Sequence, residues 1–340
     1  GGGVAWPVAL GIIFWAGVAF LLVSATPLRE RIALSFPDHL RAATAAGIGL
    51  LLTFIGLQNG GFVAANPATM VGVGPLDHRA LFVLAGLIVS VWLARRENPF
   101  AYLYGIALIT SGAWAFGYVS PPPSWFSAPD FSSVFLKLDI WGALRLSLLP
   151  AMITVILTDL FDSLSTFIGV AQAANLVDDN GQPKNLRQGL IVDSFATFGA
   201  ALFGSSSGTA YVESIAGIRM GGRTGLTAVV TAICFLPCLF IAPIAAAIPN
   251  YATSAVLILV GVSMFQAVTR VPFDRLEVAV PAYATLILIP LTFSITQGIL
   301  WGFILHAALH VVVGRARQVT AAAWGLAAVS VALLIIEHVH

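Results

Sequence analysis

From Val4 to Ala25 the chain runs 22 residues without one charged side chain, and from Gly225 to Ala247 another 23. At ~1.5 Å per helical residue, a run of ~20 reaches across the ~30 Å hydrocarbon core of a bilayer. Apolar stretches recur at 4–25, 42–58, 79–95, 99–117, 146–171, 189–203, 225–247, 252–269, 276–295, 297–313 and 320–337, with a short apolar stub at 211–218. Only 9% of the 340 residues are charged and 59% are hydrophobic, where a globular domain carries roughly 25% charged residues. That leaves too little polar surface to coat a soluble fold of this size, which excludes a soluble enzyme and a disordered chain. A net charge of +1 gives no basic footprint for nucleic acid, and two cysteines exclude a disulfide or zinc-ribbon framework. The fold class is an all-α polytopic membrane protein.

The cations test this layout. If the first span runs from outside to inside, the cytoplasmic side receives 13 of them, from Arg29 and Arg31 through Arg315 and Arg317, and the outside only Arg79, Lys137 and Arg145. This positive-inside bias holds only if 189–203 and 211–218, each too short to cross comfortably, together enter and leave from the cytoplasmic side. The charge pattern therefore predicts a broken helix near 204–218. The chain begins Gly1-Gly2-Gly3 with its first span starting outside. A preceding part with an odd number of spans would explain that orientation.

Residues 118–140 carry Pro121-Pro122-Pro123 and then Trp125 and Phe126, with Trp141 beyond. This predicts an outer segment with aromatics at headgroup depth. Gln58, Asn59 and Asn66 read as a polar cluster at the outer mouth. Asp178-Asp179-Asn180-Gly181 is a turn in a solvated cytoplasmic loop. A faint repeat links Pro37 with Gly49 and Pro249 with Gly261, each glycine twelve residues after its proline, on spans of opposite direction. Such a pairing suits an inverted repeat, although proline at a span entrance is frequent.

Most of the 15 acidic residues sit in loops or at span ends, and three do not: Asp159, Asp162 and Glu213. Each would cost ~2.5–3.5 kcal/mol at the centre of a lipid-facing helix, so they must face a cavity or the bundle interior. Asp159, Asp162, Ser163 and Thr166 stand at i, i+3, i+4 and i+7, one polar stripe on an apolar helix. A purely interhelical hydrogen-bond cluster is the alternative. Glu213 follows Gly204-Ser205-Ser206-Ser207-Gly208-Thr209-Ala210-Tyr211-Val212, a helix-breaking stretch. Unwound backbone at membrane depth is tolerated only where protein or a wet cavity satisfies it, and its free N–H and C=O groups can then bind a polar ligand. The stub beyond it turns the positive end of its dipole toward that site. An external loop is the alternative for 204–210. Asp193 reads as a carboxylate near a helix end, pinning structure.

Other candidates are bland. His306 and His310 lack the glutamate of a zinc-protease helix, and no metal or cofactor is expected. Cys234 and Cys238 read as small core residues, and Gly47-Ile48-Gly49 as close helix packing. Phe161, Phe167, Phe195 and Phe198 flank the stripe and could stack on a flat ligand or simply fill the core.

Thr158-Asp159-Leu160-Phe161-Asp162-Ser163 running to Ile168-Gly169-Val170-Ala171, then Asp193-Ser194, the stretch Gly204 to Ser214, and Gly221-Gly222-Arg223-Thr224-Gly225-Leu226-Thr227 together resemble the AzgA-like adenine/guanine/hypoxanthine permeases. These are a branch of the nucleobase–cation symporters that include the xanthine and uracil permeases. The segments Ala46-Gly47-Ile48-Gly49, Ile55-Gly56-Leu57-Gln58-Asn59 and Asn66-Pro67-Ala68-Thr69 also fit. The resemblance implies fourteen spans in two inverted seven-span repeats, split into core and gate domains, whose broken helices meet at the substrate site with short antiparallel strands. On that scheme 1–25 is a core remnant, the fourth family span. Residues 26–117 are gate spans of the first repeat, and 118–145 is the external connection. Residues 146–247 form the core of the second repeat, with the substrate site; 248–313 are its gate spans, and 314–340 is an extra C-terminal helix. The first three spans would be absent, and with them half of the site.

The family's substrate carboxylates map to Asp159 and Glu213, with Asp162 nearby. Thr209, Tyr211 and Val212 offer unwound backbone, and Phe161 an aromatic face. Asp193, Ser163, Thr166, Gly204 and Gly208 support them. The resemblance implies a purine nucleobase as substrate, a coupling proton (or another cation) loaded on Asp159 and Glu213, and alternating access in a bacterial inner membrane. It leaves a homodimer open, and it implies neither an enzyme nor a nucleic-acid partner. Competing readings are an inorganic-anion exchanger, which would need a basic or neutral pocket, and a channel. An intramembrane aspartyl protease needs aspartates on separate helices.

Overall fold

The computed structural model describes residues 4–26, 37–145, 148–177, 183–211, 214–219 and 221–339. Its helices are α1 (Trp6–Ala25), α2 (Asp38–Asn59), α3 (His78–Arg95), α4 (Ala101–Ala115), α5 (Leu149–Ala173), α6 (Leu186–Leu202), α7 (Ser214–Arg219), α8 (Gly225–Phe235), α9 (Ala242–Ala246), α10 (Ser254–Phe265), α11 (Leu276–Thr292), α12 (Ile295–Val312) and α13 (Ala321–Val339). The expected spans are all present as helix. The one at 225–247 is broken into α8, a 3-10 stretch Leu236–Ile241 and α9, because Pro237 and Pro243 supply no N–H to the ladder. Among the described residues, four helical stretches are long and apolar enough to cross a membrane: Asp38–Asn59, His78–Arg95, Gly225–Ala246 and Asn250–Arg270.

One feature lies outside the expected helices. After α2 the chain forms an antiparallel hairpin of β1 (Val63–Asn66) and β2 (Met70–Val73), pairing Val63 with Val73 and Asn66 with Met70. The Asn66 side chain accepts from Ala68 N at 2.9 Å, and Met70 takes φ 63° to close the turn. Asn66 is therefore a turn residue, and the polar cluster expected with Gln58 and Asn59 is in part a hairpin.

One group of helices gathers α1, α5 and α6. Gly17 lets α1 press on α6: a Cβ there would stand 2.7 Å from Phe198 N. The Phe14 and Phe198 rings pack 5.0 Å apart, and the Ser24 and Ser194 hydroxyls meet at 3.0 Å. The connection 118–145 ties this group together at one end. Asp139 N donates to Pro7 O at 2.8 Å, Leu136 N to Leu202 O at 2.9 Å, and Trp15 Nε1 to Ile140 O at 3.0 Å. Trp125, Phe126 and Trp141 stay exposed along it.

The second group is built on α2 and α10, which cross antiparallel with backbone against backbone. A Cβ on Gly49 would lie 2.6 Å from Gly261 O and 2.8 Å from Phe265 N, and one on Gly261 would lie 2.5 Å from Gly49 O and 2.1 Å from Thr53 Oγ1. Residue 49 meets 261 and 265, while 261 meets 49 and 53. The contacts are reciprocal, as a local two-fold relating the two Pro-to-Gly stretches would make them. The helix pairs α3–α4 and α11–α12 flank this crossing and use small residues too: Gly105 sits under Ser90 and Gly302 under Thr285. A buried cluster of Phe20, Leu40, Leu160, Leu190, Ile299, Phe303, Ala307 and Ala327 joins the two groups.

Gly261→Ala is expected to destabilise the protein by about 1–3 kcal/mol through overpacking, read as a lower melting temperature in detergent. Gly325→Ala, whose Cβ meets nothing within 4 Å, is expected to be neutral or slightly stabilising. Equal melting temperatures would contradict the close crossing.

Candidate functional site

Asp159 is the eleventh of the 25 residues of α5, about 15 Å from its start at ~1.5 Å per residue, so it lies near the middle of the span. Its stripe turns inward: Asp159, Ser163 and Thr166 are 5%, 0% and 6% exposed, and Asp162 is half-buried. The facing surface of α6 carries a second stripe, Asp193, Ser194 and Thr197, exposed by 4%, 0% and 0%. The two helices exchange partners. Thr197 Oγ1 donates to Asp159 Oδ2 at 2.8 Å, and Ser163 Oγ donates to Asp193 Oδ2 at 2.5 Å. Each carboxylate stands four residues before a hydroxyl on its own helix, so both pairs form where antiparallel helices meet. Hydrogen bonds to charged groups contribute ~1.5–3 kcal/mol each, which helps offset the desolvation of buried acids.

Beyond Leu202 the helix stops. Gly204 takes φ +77°, and a Cβ there would strike Val134 at 2.7 Å. Residues 205–211 run without helix, as the broken-helix reading predicts. The same two hydroxyls grip them: Thr197 Oγ1 reaches Gly208 O at 3.0 Å, and Ser163 Oγ meets Thr209 Oγ1 at 3.1 Å. Gly208 itself lies on α6, where a Cβ would stand 2.8 Å from Ala196 O. Unwound backbone is thus held against two buried acids.

Asp159, Ser163, Asp193, Gly208 and Thr209 come together in one network. Tyr211 is 68% exposed and lies outside it. Val212 and Glu213 fall outside the described residues, as does the side chain of Phe161. Asp193 is not at a helix end: α6 begins at Leu186, three residues earlier than expected, which puts Asp193 two turns inside. Thr197 and Ser194 were missed. The available signal was the spacing Asp193–Thr197, which repeats Asp159–Ser163. Of the flanking aromatics, Phe167 packs at the edge of the joining cluster, Phe198 packs tilted against Phe14, and Phe195 is exposed.

Elsewhere, Cys234 and Cys238 are exposed rather than core residues, because the apolar stretch Gly225–Ala246 that carries them has no buried residue across its membrane-length window. The His306 and His310 rings pack tilted at 4.2 Å, and His39 joins them at 5.0 Å from His306. Among the described residues no group of three or more His, Cys, Asp or Glu side chains is placed to hold a metal ion. Gly47 packs on Ile289, as the close-packing reading of Gly47-Ile48-Gly49 expects.

Residues 1–301 match the Permease family of xanthine and uracil permeases. The chain is 38% identical over 317 residues to the adenine permease AdeQ of Escherichia coli, covering 93% of this chain and 71% of that protein. It is 35% identical over 328 residues to the guanine/hypoxanthine permease PbuG of Bacillus subtilis, covering 94% and 74%. In fold it is similar to the transmembrane domain of the cyanobacterial bicarbonate transporter BicA, at TM-score 0.66 and 18% identity over 87% of this chain and 76% of that one.

Ser163→Ala removes the donor to Asp193 and the tie to Thr209. It is expected to cost about 1.5–3 kcal/mol, measured by denaturant or thermal unfolding in detergent. Thr231→Ala on the exposed α8, where the hydroxyl bonds only its own helix, is expected to cost little. Equal stability of both variants would argue against the buried network.

Proposed function

The chain belongs to the xanthine/uracil permease family and is an integral membrane transport protein; we propose that it carries purine nucleobases, coupled to protons, by alternating access. One observation supports this most: acids buried near mid-span beside unwound backbone that hydroxyls hold in place. A purine edge offers ring N–H donors, which carboxylates accept, and ring acceptors, which free backbone N–H groups satisfy. The names of the relatives, adenine and guanine/hypoxanthine permeases, agree with that chemistry.

In this reading Asp159 and Glu213 bind the base and carry the coupling proton, with Asp162 beside them. Thr209, Tyr211 and Val212 present backbone, Phe161 supplies a stacking face, and Asp193, Ser163, Thr166, Gly204 and Gly208 shape the break. The α1–α5–α6 group is the moving core, and the α2–α10 group with α3, α4, α11 and α12 is the gate. Rocking of one against the other, across the apolar cluster that joins them, exposes the site to either side. Acids rather than bases at the break disfavour an inorganic anion as cargo, despite the fold shared with a bicarbonate transporter.

In cells lacking their own purine permeases, the protein is expected to accumulate radiolabelled hypoxanthine or adenine. Asp159→Asn and Glu213→Gln should each lower uptake at least ~10- to 150-fold, the equivalent of one hydrogen bond to a charged group. Excess unlabelled purine should compete and excess bicarbonate or sulfate should not. Normal accumulation by both variants, or competition by the anions alone, would overturn the assignment.

A further inference from the structure

Thr197 is fully buried and has two hydrogen-bond partners, the Asp159 carboxylate at 2.8 Å and the Gly208 carbonyl at 3.0 Å. Both are acceptors when Asp159 is ionised, and a hydroxyl has one hydrogen to give. The neighbouring chain of bonds differs. Ser163 gives its hydrogen to Asp193, and Thr209, itself a hydroxyl, supplies the next one. That chain is complete with Asp193 ionised, whereas the Thr197 chain ends on a carbonyl and is one proton short. A proton on Asp159 completes it: the acid O–H donates to Thr197 Oγ1, and Thr197 donates to Gly208 O.

We propose that Thr197 is a positioning residue that couples proton binding at Asp159 to the placement of the unwound segment 205–211. With Asp159 ionised, the Thr197 hydrogen turns to the carboxylate and the Gly208 carbonyl is released. With Asp159 protonated, the hydroxyl turns to Gly208 and fixes the segment on α6. One proton enters from the medium onto Asp159, and the Thr197 hydroxyl rotates without losing its own. Deprotonation reverses both changes. The proton thereby pre-forms the backbone half of the site before the base arrives, which rests on the transport reading above.

Other charges bear on Asp159 as well. Asp162 shares its helix. Of the elements packed on α5, α1 has no titratable residue, α6 carries Asp193 and Arg187, and α7 carries Arg219. On α2, Asp38 and Arg41 pair with each other at 3.2 Å, the histidines of α2 and α12 contact one another, and α13 has no titratable residue before its last turn.

The test compares Thr197→Val, which keeps the shape and loses the hydroxyl, with Thr197→Ser, which keeps the hydroxyl. In membranes, infrared difference spectra on acidification should show a carboxylic-acid C=O band that Asp159→Asn removes. Thr197→Val should shift that band, and Thr197→Ser should leave it near the wild-type position. In uptake assays, the wild-type KM for the purine should fall on acidification by about fivefold, the equivalent of one neutral hydrogen bond. In Thr197→Val the KM should be flat with pH, and in Thr197→Ser it should again fall. A merely structural threonine would lower uptake evenly at every pH. The proposal is overturned by an acid band that Thr197→Val leaves unmoved, by the absence of any band that Asp159→Asn removes, or by an unaltered pH profile in Thr197→Val. If the wild type takes up no purine, the transport reading fails while the infrared comparison still decides the role of Thr197.

Discussion

A carboxylate placed between apolar helices persists only where a donor is aimed at it, and this requirement organises the centre of the molecule. Asp159 and Asp193 sit on facing helices, and each takes its donor from the other helix. The exchange fixes the register of α5 against α6, since a slip by one residue would turn both acids away from both hydroxyls. Because the same hydroxyls also hold Gly208 and Thr209, the constraint that keeps the acids buried also holds the helix break beside them. The site and the local fold are one set of bonds.

Around that centre the packing relies on the absence of side chains. Gly17, Gly49, Gly208 and Gly261 each stand where a Cβ would strike neighbouring backbone. In a bilayer, lipid tails are as apolar as leucine, so helices gain little from hiding apolar surface and associate through close van der Waals approach and polar contacts. The long exposed faces of α8 follow from the same physics: its Leu226, Val229 and Ile233 need no protein partner in an apolar solvent.

The spans were legible because charge is so costly in lipid that its gaps mark every crossing, and the break at 204–210 was legible from glycine and hydroxyl density. The stripe of Asp159, Ser163 and Thr166 announced itself by helical spacing. Thr197 did not: a lone threonine carries no charge, and its role depends on a residue 38 positions away. The hairpin at 63–73 escaped because its strands are four residues each and mostly exposed, too short for an alternating pattern. Cys234 and Cys238 misled because small apolar residues look alike whether they face protein or lipid. His39 was invisible as a partner of His306 for the reason that hid Thr197, a contact made only across helices.

The meeting of Gly49 and Gly261 has a mechanical consequence. Gly49 is near the midpoint of the 22 residues of α2, so each arm extends about 16 Å at ~1.5 Å per residue. With carbonyls wedged at the contact, sliding is blocked while scissoring is not, and the crossing acts as a pivot. A turn of about 10° there would carry either tip by ~3 Å on such an arm, swinging the hairpin end one way as the end near His39 goes the other.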